Sequence, residues 1–138
     1  MKFMSRFLHV LWMLLLFKGA VDAQNPSPKG GVARVTGVFS SLLLHVETHD
    51  VIGYEITVSK VGDEGAYFVV LQCAQGVAEP PIVSRAEIRN GMLTFSPEDH
   101  ACGSKFRAMP GNRGILLWID GRSHGFIPRH HSYWETHS

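Results

Sequence analysis

Residues 51–60 alternate without a break, with Ile52, Tyr54, Ile56 and Val58 at one parity and Gly53, Glu55, Thr57 and Ser59 at the other. A strand sends successive side chains to opposite faces, so these four apolar residues share a face only in extended backbone. A helix would scatter them around its axis. Gly53 marks a bulge or bend within the run.

The same short rhythm recurs downstream. A polar, glycine-bearing loop at 61–65 leads into residues 66–73, apolar nearly throughout, which predicts a central strand covered on both faces. Gly76 and the Pro80-Pro81 pair then interrupt the sheet, because proline lacks the ladder donor and fixes φ. Strands at 82–88 and 92–95 flank Arg89-Asn90-Gly91. Asn-Gly tolerates positive φ at both positions, the requirement of a type I′ hairpin. Ile88 should then share a side with Leu93 or Phe95. A loop at 96–103 carries Cys102. Residues 104–109, 115–119 and 124–127 complete the series, with turns at 110–114 and Asp120-Gly121 and a stop at Pro128. Trp118 is expected in the core.

About eight short strands joined by short turns, with no helix, predict an all-β fold. Short connections make neighbours antiparallel, since a parallel crossover needs a dozen or more residues. The expectation is a small antiparallel meander closing into a barrel, with a two-sheet sandwich as the alternative.

The chain of 138 residues divides into four stretches. Residues 1–23 read as a signal peptide. Lys2 and Arg6 form the basic start, 7–17 the apolar stretch, and Val21-Asp22-Ala23 the cleavage signature. The apolar stretch is shorter than the roughly 20 residues of a membrane-spanning helix, so no membrane span is expected. Residues 24–31 form a Pro/Gly/Ser-rich flexible lead-in. Residues 32–128 form the β domain, and 129–138 a polar tail rich in aromatics and histidine. Cleavage would leave 115 of the 138 residues. Losing Lys2, Arg6 and Lys18 reduces 13 basic residues to 10, and losing Asp22 reduces 12 acidic residues to 11, for a net charge of −1. That balance excludes a strongly basic nucleic-acid binder. A secreted or periplasmic location is expected.

Cys73 and Cys102 lack the C-x-x-C spacing of a redox pair, and an exported chain meets an oxidising compartment, so they are expected to form a disulfide. It would close a loop of 30 residues, counted from 73 through 102, for about 3.6 kcal/mol of stabilisation in the chain-entropy treatment.

Chemistry-bearing signals are sparse. The chain contains no G-x-S-x-G elbow, P-loop, G-x-G-x-x-G, H-E-x-x-H or N-glycosylation sequon. No cofactor is expected. Glu47, Asp50 and Glu55, and the Glu98-Asp99-His100 run, are carboxylates beside turns, and His45 and His49 would share a face if their segment stayed extended. Tyr133 and Trp134 in the tail, with Arg113 in a turn, are the residue types that make partner contacts. His130, His131 and His137 supply imidazoles for a copper or zinc site.

Residues 67–76, Pro80-Pro81, the Asn-Gly hairpin and 117–121 resemble, over these few positions, small exported β-barrel domains of bacteria. The exported β-barrel inhibitors of lysozyme likewise carry a cysteine beside a strand and a glycine soon after it. The resemblance carries over no functional residue. The leading functional expectation is an exported, non-catalytic binding module. Its ligand would be a small apolar molecule inside the barrel, or a protein gripped through 98–101, Arg113 or the aromatic tail. A copper- or zinc-binding protein using the tail histidines is the alternative, and a small hydrolase the second.

Overall fold

The computed structural model describes residues 34–62, 65–98 and 100–137, with the side chain of residue 137 left aside. The signal-peptide and lead-in segments, 1–23 and 24–31, lie outside the described residues. Nine strands follow in order: β1 (Gly37–Ser40), β2 (Leu43–His45), β3 (Asp50–Val61), β4 (Ala66–Gly76), β5 (Ile82–Arg89), β6 (Met92–Phe95), β7 (Phe106–Pro110), β8 (Gly114–Ile119) and β9 (Arg122–Pro128). All pair antiparallel in one sheet ordered β1-β3-β4-β5-β6-β7-β8-β9, with β2 also on β3.

The sheet curls until its ends meet, which decides for the barrel over the sandwich. Phe39 of β1 forms an isolated antiparallel bridge with Arg129 after β9, and the His130 N–H donates to the Val38 carbonyl at 3.1 Å. Arg129 reinforces this seam. Its guanidinium lies 4.6 Å over the Phe39 ring and donates to the carbonyls of Asn112, Thr36 and Arg34. A planar donor fork over an aromatic face suits such a junction, because its charge is met by three carbonyl dipoles and a ring.

The interior is filled by the inward parity of every long strand. Ile56 and Val58 of β3, Val69 and Leu71 of β4, Leu93 of β6, Ala108 of β7, Leu117 of β8 and Ile127 of β9 are all buried. Phe95 and Phe106, opposite each other in the β6–β7 register, stack with centroids 4.8 Å apart. Asn90 and Gly91 take positive φ (52° and 74°), and Ile88 faces Leu93 as the hairpin requires.

Several expectations change. β2 is a ninth strand in what the sequence leaves as a connection. It adds to β3 beyond the end of β1, where Ser41 breaks the first strand in two. Gly53 sits under that break: a Cβ there would stand 2.4 Å from the Ser41 carbonyl oxygen. Ser41 N–H and Oγ–H both reach the Tyr54 carbonyl, and its Oγ accepts from the Tyr54 N–H. β4 is not covered on both faces: Val69 and Leu71 are buried, whereas Val70 between them is exposed on the outer wall. A barrel has one dry side, so an apolar run must still alternate. For the same reason Trp118 is not core. It sits half-buried on the outer face beside a bulge, where β8 meets β9 out of step. His45 and His49 share no strand face. They flank the β2–β3 turn, with His49 at φ 60°. Finally, the tail forms a short helix, α1 (Tyr133–His137).

Candidate functional site

The disulfide joins Cys73 in β4 to Cys102 in the β6–β7 loop, with Cα atoms 5.8 Å apart, and both cysteines belong to the buried core. The loop enters the barrel end through Gly103, whose φ of 124° and contact with Ile119 leave no room for a side chain. Asp120 holds the loop's exit. Its carboxylate accepts from Ser104 Oγ at 2.8 Å and from the N–H groups of Ser104 and Lys105. These bonds, the Ser104 hydroxyl foremost, hold its carboxyl below the usual aspartate range. A disulfide of this kind fits an oxidising compartment.

His100 stands beside the bridge. Among the described residues, Cys73, His100 and Cys102 form a group with one donor atom from each within 4.8 Å of the others. The Cys102 N–H donates to His100 Nδ1 at 3.1 Å, and His100 Nε2 meets the Pro80 carbonyl at 3.3 Å. An N–H can only donate and a carbonyl only accept, so these partners select the tautomer protonated on Nε2.

The second constellation is the docked tail. Glu55 lies on the outer parity of β3, yet it is one of the two buried polar residues of the described chain. The tail covers it. Ser132 Oγ–H donates to Glu55 Oε1 at 2.6 Å, and the Tyr133 N–H donates to Oε2 at 2.7 Å. The carboxylate thus caps the first turn of α1, where unpaired N–H groups favour an anion. Next to it, Gln72 stands opposite Glu55 in the β3–β4 register. Its Oε1 accepts from the Trp134 indole N–H at 2.6 Å, while its Nε2 donates to the Glu79 carbonyl. Tyr133 and Trp134 pack edge to face, centroids 4.9 Å apart.

Docking the tail creates a groove of about 560 Å³. Residues 40–44 and Val46 form one wall, and His130, His131, Tyr133 and Thr136 the other. Leu43, Leu44 and Val46 show 49, 41 and 78% of their surface to solvent, three neighbouring apolar residues on one wall. The other edge of β2 carries no strand among the described residues.

The residues singled out from sequence therefore scatter. Cys73 and Cys102 meet as expected. Tyr133 lines the groove; Trp134 is turned onto Gln72 along the barrel wall. Arg113 sits exposed in the β7–β8 turn, outside the groove, where its carbonyl accepts from the Arg129 N–H at 2.8 Å. His130 and His131 stand edge to face, 6.2 Å apart, on the groove wall, and the side chain of His137, the third imidazole expected of a metal site, lies outside the described residues. Sequence reading did not single out Leu43 and Leu44, Gln72 or Arg129. The pair Leu43-Leu44 before a polar turn was the legible signal for the first two. In the sequence Glu55 is legible only as a carboxylate; its capping role depends on a partner 77 residues away.

Comparison with known protein families, with curated proteins and with solved structures finds no match.

Proposed function

We propose that the chain is an exported, non-catalytic binding module that holds a protein partner in the groove between β2 and the docked tail. The carrying observation is that groove: exposed Leu43, Leu44 and Val46 beside an edge of β2 that pairs with no strand among the described residues. An extended segment of a partner would add to β2 through its backbone and set apolar side chains against these three residues, the logic of strand addition. The side-chain-filled interior favours a partner on the outside over a small apolar ligand within. Export through residues 1–23, into the periplasm or medium, is part of the proposal, and the disulfide is compatible with it.

A photoreactive residue at Leu44 is expected to capture one envelope or secreted protein, and the same residue at Val83, exposed on β5 two strands away from β3, is not. Leu44→Glu should abolish co-purification of that protein. Equal capture from both positions would refute the groove. Intact-mass analysis of the secreted product should give a chain beginning at Gln24.

A copper or zinc site on the tail is the second reading, favoured by the adjacent, exposed His130 and His131 rings. Calorimetric titration with Cu²⁺ and Zn²⁺ tests it, and a flat isotherm rejects it. A hydrolase has less to stand on: among the described residues no hydrogen bond joins a histidine to a carboxylate.

A further inference from the structure

We infer that Cys73, His100 and Cys102 form a zinc site when their disulfide is reduced. The site lies apart from the groove and does not depend on the binding reading. Three observations carry it.

The first is convergence. The two sulfurs are already joined, and a ring nitrogen of His100 lies within 4.8 Å of both. The second is the orientation of His100. Its Nε2–H points to the Pro80 carbonyl, leaving the Nδ1 lone pair turned toward the Cys102 backbone. Metal-bound histidine normally has one ring nitrogen free to bind while the other N–H is anchored on a carbonyl or carboxylate. His100 has that anchor in its Nε2–H on the Pro80 carbonyl, while its Nδ1 is engaged by the Cys102 N–H and has to release it to bind a metal. The third is the division between fixed and adjustable ligands. Cys73 is set in the middle of a long strand, whereas His100 and Cys102 share a loop outside the sheet. Two sulfurs, each about 2.3 Å from a zinc ion, must stand farther apart than in a disulfide. That displacement has to come from the loop, on the 96–102 side of the anchor that Asp120 makes with Ser104 and Lys105.

The chemistry balances with a dithiol reductant. Two electrons and two protons pass to the Cys73–Cys102 bond, giving two thiols, and the dithiol becomes a disulfide. Zn²⁺ then displaces both thiol protons and binds two thiolates and His100 Nδ1, which gives up the Cys102 N–H. Three protein ligands leave a fourth position to water. Thiolate ligands favour zinc over harder cations such as magnesium or calcium. Both sulfurs are buried, so the dithiol gains access only as the loop opens.

The test uses the full chain, reduced with dithiothreitol, freed of it under argon, and titrated with Co²⁺ and then Zn²⁺. The reduced chain is expected to bind one Co²⁺, with thiolate-to-metal charge-transfer absorption and a four-coordinate visible spectrum, and Zn²⁺ should bleach both. The oxidised chain should show neither. Reduced His100→Ala should bind at least about tenfold more weakly, Cys73→Ser should weaken the charge-transfer band, and replacing both cysteines by serine should abolish it. Circular dichroism on each sample reports whether the β fold is kept. The inference is overturned by no saturable binding by the reduced chain, by unchanged affinity in His100→Ala, or by equal affinity in unfolding urea. A reduced chain that unfolds and is not refolded by Zn²⁺ would overturn it as well.

Discussion

Glu55→Ala tests whether the tail is part of the fold. The carboxylate takes two bonds from the tail, from Ser132 Oγ and the Tyr133 N–H, at 2.6 and 2.7 Å. Bonds to a charged group contribute about 1.5–3 kcal/mol each. The low end applies, because both donors regain water once the tail lifts away, so the pair is worth about 3 kcal/mol. Much of this should appear as lower global stability in urea, because the same segment carries Arg129 and the seam. Ser132→Ala removes one bond and should cost about half as much. In the double variant the losses should fall short of additive by about 1 kcal/mol or more, since both substitutions remove the same contact. Additivity within about 0.5 kcal/mol would refute the latch. So would a Glu55→Ala chain as stable as the parent, which would leave the groove without a fixed second wall.

Two further predictions concern the disulfide loop. Replacing Cys73 and Cys102 together by serine should destabilise the oxidised protein by up to about 3.6 kcal/mol. It should lower the melting temperature by several degrees at least; an unchanged calorimetric melt would count against a stabilising bridge. Asp120 gives a pH signature. Its folded-state pKa lies below the unfolded value, so its stabilisation is complete above the ordinary aspartate range and is lost as pH falls through the folded value. Between about pH 4 and pH 2, Asp120→Asn should therefore lose less stability than the parent in urea titrations. Identical acid slopes would mean that the Ser104 and Lys105 bonds do not favour the charged form.

Local pattern carried most of the architecture. Alternation at 52–58, the Asn90-Gly91 pair and Pro128 each act within a few residues, and period-2 order has one low-energy outcome when half the side chains are apolar. Where the reading erred, it erred by treating apolar runs as buried on both sides. Val70 and Trp118 face outward because curvature, which no single strand specifies, decides how many dry faces a sheet has. The two cysteines were legible as a pair because no other thiol competes.

The sequence alone thus determined the strands other than β2, the turns between them, antiparallel order and the sulfur bridge, all of which depend on neighbours in the chain or on a unique pairing. Tertiary structure alone decided the rest. It closed the sheet through Arg129 on Phe39, buried Glu55 under a tail that sequence reads as polar, left one edge of β2 without a strand partner among the described residues, and set His100 beside the disulfide. Each joins residues from separate elements, and such contacts are fixed only when the sheet has curled and its ends have met.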